Sequence, residues 1–182
     1  RQIATVGVIG GGTMGSGIAT GALLSGLKVI LSERDVEALQ RGASTIAKNL
    51  AGAVKRGKLS EAKRHAILSD ALQTTLNLSD FAQVDLVIEA VFEDMGVKKD
   101  IFGQLDTICK PGAILASNTS YLDINEIALA TARPEDVIGL HFFSPAHVMR
   151  LLEVVVADKT APEVTATGFA LAKTLGKVAV RA

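Results

Sequence analysis

Three glycines at positions 10, 12 and 15, set between an apolar run and a run of small residues, restrict this chain more than any other feature. The stretch IATVGVI (3–9) reads as a strand, and the residues after Gly15 read as a helix of small and aliphatic side chains. Each glycine has its own mechanical role. Gly10 permits a tight turn, Gly12 lets a pyrophosphate approach the backbone, and Gly15 lets the helix press on the strand. The free amides at the helix start then face the anion, aided by the helix dipole. Such spacing alone also suits an ordinary structural turn. The context favours a dinucleotide, because a second strand, Lys28–Ser32, ends in Glu33, 18 residues beyond Gly15. That offset is close to the ~20 residues expected for the acid that accepts from the ribose hydroxyls. Glu33 would also repel a 2′-phosphate, which favours NAD over NADP.

Lys plus Arg and Asp plus Glu balance at 19 each. The broad positive field that nucleic-acid binding draws on is therefore missing. The longest apolar stretch, Gly17–Leu27, is broken by Thr20 and Ser25 and falls well short of the ~20 residues of a membrane span. A single cysteine, Cys109, makes no disulfide framework and reads as a helix-end residue. The chain starts at Arg1 and stops on the strand-like KVAVRA, so both ends read as cut and a longer protein is expected.

Beyond Glu33, apolar residues at Val36, Leu39, Ala43, Ile46, Leu50 and Val54 keep helical spacing, and a shorter helix is expected from Ser60 to about Ser69. This pair, over about 36–69, is longer than a crossover needs and reads as an excursion from the sheet. Arg41, Lys48 and Lys55 share one side of it, as a solvated face or as a phosphate contact. His65 reads as a surface residue. Short strands are expected at 72–75, 85–89, 113–117, 136–141, 151–157 and 177–180. Helices are expected at about 94–109, 123–131 and 162–175. The alternation implies a Rossmann-like, doubly wound, mostly parallel α/β sheet within one domain, 1–182.

Ligands in such sheets bind at the carboxyl ends of the strands. Those ends carry Gly10–Gly15, Glu33, Ala90–Glu93, Ser117–Ser120 and His141. His141 is the residue type suited to proton transfer near neutral pH. Glu153, on the next strand, is placed to hold its second ring nitrogen. A satisfied structural histidine is the alternative at this stage. His147 reads as a loop residue, and no metal site is expected.

At HFFSPAHVMRLLEV, together with GGGTMG, VIEAVFED, KK and SNTS, the sequence resembles the NAD-binding domain of the L-3-hydroxyacyl-CoA dehydrogenases. It is most similar to the dehydrogenase part of multifunctional, peroxisomal-type β-oxidation enzymes. The resemblance implies oxidation of a (3S)-3-hydroxyacyl-CoA by NAD⁺, with His141 as catalytic base and Glu153 as its carboxylate partner. It implies cofactor contacts at Met14, Glu33, Val91, Phe92, Glu93 and Lys98, and at Ser120 beside both nicotinamide and substrate. Asn49 and Arg56 fall near the family's CoA contacts, which favours the phosphate reading of the basic face. Many members carry HFFNP, whose asparagine contacts cofactor and substrate; here Ser144 holds that place, as in the peroxisomal-type members, and a shorter side chain implies a water-mediated contact.

The resemblance further implies an acyl-CoA substrate, a covalently linked enoyl-CoA hydratase domain before this one and a helical C-terminal domain after it. The expected compartment is cytoplasmic in a bacterium and peroxisomal or mitochondrial in a eukaryote. Two alternatives stay open: a related dehydrogenase of short hydroxybutyryl-CoA or hydroxy acids, and a non-catalytic NAD-binding module. Retention of both His141 and Glu153 speaks against the second.

Overall fold

A computed structural model describes residues 1–182. Its eight strands form one sheet in the order β3-β2-β1-β4-β5-β6-β7-β8. The strands are β1 (Thr5–Ile9), β2 (Lys28–Ser32), β3 (Leu72–Thr75), β4 (Leu86–Glu89), β5 (Ile114–Ser117), β6 (Val137–Phe142), β7 (Leu151–Val155) and β8 (Val178–Arg181). The first six are mutually parallel in the 3-2-1-4-5-6 order of a doubly wound dinucleotide fold. The order reverses between β1 and β4. A crevice opens there at the carboxyl ends of the strands, and the candidate residues gather along it.

Strand composition accounts for this layering. β4 and β5 are buried along their whole length, as strands covered on both faces must be. Helices α1 (Thr13–Leu24), α2 (Val36–Lys55) and α6 (Pro162–Thr174) cover one face, with Ile18, Leu23, Ile46, Leu50, Val164 and Leu171 in a shared core. Helices α4 (Met95–Ile108) and α5 (Ile124–Ala128) cover the other, around Phe81, Phe102, Leu105 and Ile127. The excursion consists of α2, then α3 (Glu61–Ala66), then a single π-helical turn through Ala71, so it runs slightly beyond the expected residue 69. Asp35 caps α2 and Ser60 caps α3, accepting from Ala38 N and Lys63 N, which satisfies amides that a helix start leaves free.

One expectation is corrected. The helix expected over 123–131 is only Ile124–Ala128, because the chain turns at Leu129–Thr131 toward the short 3₁₀ turn at Pro134–Asp136. The sheet is mostly parallel, as expected, with the exception at one end: β7 runs antiparallel to β6, and β8 follows the direction of β7. Only residues 143–150 join β6 to β7, too few for the crossover of a dozen or more residues that a parallel return requires. The reversal puts His141 directly opposite Glu153.

Candidate active site

The glycine turn is built as its spacing predicts. Gly10 has φ +99°, a left-handed conformation that a side chain disfavours. A β-carbon on Gly15 would lie 1.7 Å from the Gly10 carbonyl oxygen, so no side chain fits where α1 meets the turn. A β-carbon on Gly12 would meet nothing within 4 Å, leaving space on the open side of the turn. The amides of Gly12, Thr13 and Met14 have no acceptor within the chain, and α1 has no side-chain cap. Free donors, open space and a helix N-terminus together fit the pyrophosphate of a dinucleotide.

Glu33 folds back over this turn. Its Oε2 accepts from Gly11 N at 2.8 Å and its Oε1 from Arg34 N at 3.0 Å, which aims the carboxylate at the crevice with lone pairs to spare for ribose hydroxyls. The cleft alongside has a volume of about 710 Å³, and its walls include Gly10, Gly12, Glu33, Ala90, Val91 and Phe92. Val97, Ile101 and Ile108 of α4 give it an apolar floor suited to an adenine ring. Met14 is half-buried at the start of α1. Gly42, which the sequence reading passed over, brings α2 against the turn: a β-carbon there would approach Gly11 Cα to 3.0 Å. A small residue at a helix–turn contact is its only local signal.

Lys98 is placed differently from the expectation. It is fully enclosed beneath the loop after β4, paired with the equally enclosed Glu89 at 2.5 Å and donating to Val91 O at 3.2 Å. It therefore acts on the loop from below and presents no surface to a ligand. Glu93, half-buried, accepts from Thr119 Oγ1 and so ties that loop to the SNTS segment after β5. Ser120 is exposed at the tip of that segment, and Ser144 is exposed just beyond β6.

The His141–Glu153 pair stands farther along the same sheet edge. His141 Nδ1 lies 2.8 Å from Glu153 Oε1, with the side chains 19% and 32% exposed. The Phe143 ring leans against the imidazole, centroids 4.4 Å apart. An acid at Nδ1 makes that nitrogen the one carrying hydrogen and leaves the Nε2 lone pair free. Asn118 fixes the neighbouring backbone: its Oδ1 accepts from Phe142 N at 2.8 Å while its own amide donates to Glu89 O. The sequence marked Asn118 only as part of a polar run.

The excursion is less committed. Asn49 Nδ2 donates to Thr20 Oγ1 at 3.2 Å, which joins α2 to α1. Arg41, Lys48, Lys55 and Arg56 are exposed, and none belongs to an ion pair. His147 is half-buried, with Nδ1 enclosed and unpartnered. Burial, then the cations of Arg56 and Lys177, hold its pKa below the ordinary imidazole range, so it stays neutral at neutral pH. No helix is long and apolar enough to cross a membrane.

Comparison with known proteins gives the chain its relatives. A peroxisomal fatty acid beta-oxidation multifunctional protein of Oryza sativa subsp. japonica is 47% identical over 180 residues, covering 99% of this chain and 25% of the rice protein. A 3-hydroxybutyryl-CoA dehydrogenase of Clostridioides difficile is 45% identical over 173 residues, covering 95% of this chain and 61% of that protein. The crystal structure of 3-hydroxybutyryl-CoA dehydrogenase from Escherichia coli K12 superposes with a TM-score of 0.95 at 42% identity, over 100% of this chain and 38% of the other. The chain thus spans a quarter to about three fifths of the curated relatives' lengths. Residues 5–182 match the family described as the NAD binding domain of 3-hydroxyacyl-CoA dehydrogenase, and the chain belongs to that family.

Proposed function

We propose that this domain serves the oxidation of (3S)-3-hydroxyacyl-CoA to 3-ketoacyl-CoA in fatty-acid β-oxidation, with NAD⁺ as hydride acceptor. The observation that carries the reading is the His141–Glu153 pair, held 2.8 Å apart on the sheet edge that also bears the dinucleotide cleft. Bound nicotinamide supplies the chemistry the side chains lack, accepting a hydride. The protein has the proton to manage. Nε2 of His141 would take it from the 3-hydroxyl while the O–H electron pair becomes the second C–O bond, and NAD⁺, when bound, would supply the acceptor for the hydride released from C3. Glu153 faces the imidazolium that results and stabilises it, as an acid behind a general base does. Phe143, its centroid 4.4 Å from that of the imidazole, covers one side of the ring.

The unpaired cations of α2 give an anionic CoA a place to lie, with Arg56 and Asn49 the residues nearest to such a role by resemblance. A multifunctional relative four times this chain's length supports a linked hydratase domain and a C-terminal domain completing the substrate cleft. The same relative supports a peroxisomal setting if the source is eukaryotic. The hydroxybutyryl-CoA relatives favour a second, narrower reading, in which the acyl chain is short. In the full-length protein, His141→Gln is expected to lower kcat/KM by ~10² to 10⁴, with NADH affinity within about twofold of wild type. A variant that keeps its rate removes the base.

A further inference from the structure

Glu89 ends the central strand β4, beside the point where the strand order reverses, and is wholly enclosed. A carboxylate in that position needs several donors, and it has three. Ser117 Oγ donates to Oε1 at 2.6 Å, while Val91 N at 2.8 Å and Lys98 Nζ at 2.5 Å donate to Oε2. Lys98 spends a second hydrogen on Val91 O. The N–H and the C=O of one loop residue are therefore both gripped by a single buried ion pair. Buried pairs of this kind are seldom the most stable filling for a core, since apolar residues of similar volume often do as well or better. What a pair adds is a defined geometry for the groups it bonds.

The gripped loop, Ala90–Glu93, forms one wall of the cofactor cleft through Ala90, Val91 and Phe92. Its position is sensitive, because a β-carbon on Gly10 would sit 2.8 Å from Ala90 O, so the loop backbone lies against the glycine turn itself. The backbone carbonyl of Glu89 also receives Asn118 N, and Asn118 in turn holds Phe142 N beside His141. One residue thus borders the loop at the cofactor and, two bonds away, the strand that carries the base.

We infer that Glu89, acting through Lys98 and Val91, is a positioning residue that sets the Ala90–Glu93 wall of the NAD site. The inference rests on the NAD reading of the cleft, and NADH binding by the unaltered full-length protein tests that reading separately. The test of Glu89 itself uses Glu89→Gln in the full-length protein, with two measurements. NADH titration is expected to show at least a fivefold weaker complex. Native-state hydrogen exchange is expected to show the Val91 amide losing at least tenfold more protection than the Val8 amide in β1, which reports on global opening. Weakening of less than fivefold, or protection lost equally at Val91 and Val8, overturns the inference, the latter because a residue that merely stabilised the fold would release both amides together. If the single variant does not fold, Glu89→Gln with Lys98→Met removes both buried charges at once. Val91 O then has no donor, and the same two measurements decide the question by the same limits.

Discussion

Replacing Glu153 by Gln isolates the charge of the pair from its shape. Glutamine can still accept from His141 Nδ1 through its amide oxygen, so the ring stays oriented and one hydrogen bond at 2.8 Å survives. The change removes the negative charge facing the imidazolium formed as the proton arrives. With charge centres about 4 Å apart, that attraction is ~1 kcal/mol in bulk water and ~4 kcal/mol near a protein surface. The histidine and glutamate side chains are 19% and 32% exposed, which places the pair between these limits. Roughly 2 kcal/mol of lost transition-state stabilisation follows, or about a 30-fold fall in kcat by the tenfold-per-1.4 kcal/mol rule. Steady-state kinetics of (3S)-3-hydroxybutyryl-CoA oxidation by NAD⁺ in the full-length protein measure it, and KM for NAD⁺ is expected to stay within twofold. A rate within threefold of wild type would show that the carboxylate only orients the ring. A loss as large as that of His141→Gln would show that the charge and the base are not separable in this way.

Three further outcomes are expected. Gly15→Ala forces a β-carbon into the Gly10 carbonyl oxygen, so Tm should fall by several degrees and NADH binding should be lost before the fold is; unchanged NADH affinity would refute the packing argument. Burial pushes the Asp85 carboxyl up, but Lys110 and the amides of Thr5 and Ala4 outweigh it and hold the pKa below the ordinary value. A depressed carboxyl stabilises the fold above its unfolded pKa of ~4 and ceases to do so as pH falls through the folded value. Asp85→Asn should therefore lower Tm at pH 7 and differ little from wild type near pH 2, and a gap that stays constant with pH would contradict this. The Cys109 thiol, pushed up to about 11 by burial, should react with a disulfide reagent at pH 8 only after denaturation, and stoichiometric labelling of the native protein would disprove its enclosure.

The parts legible in the sequence are those where a local rule and the tertiary fold agree. The glycine turn, Glu33 and the strand-end positions of Ala90–Glu93 and His141 follow from spacing alone, because a parallel sheet buries its strands and leaves chemistry at their ends. Ser60, where the shorter helix was expected to begin, caps α3 by the same kind of local rule, as a hydroxyl residue ahead of a helical run. Lys98 was not readable. Lysine on a helix is ordinarily exposed, and only the tertiary arrangement of β4 under α4 shows that Glu89 waits for it inside. The reversal at β7 was available from the eight-residue connection, although the apolar pattern of β7 says nothing about direction. Gly42 was invisible because its reason lies across the fold, at Gly11, rather than in α2.

Because His141 and Glu153 are partners in the β6–β7 ladder, their relative placement is a matter of register. The 143–150 connection can change in length or composition without moving one against the other, since ladder bonds on either side of the pair already align the two strands. A single-residue deletion within β7 before Glu153 is a different event. Successive side chains point to opposite faces, so a slip of one would present Leu152 or Val154 to the histidine and turn the carboxylate to the other side of the sheet. Heritable variation in this region should accordingly be free of single-residue insertions and deletions within the two strands.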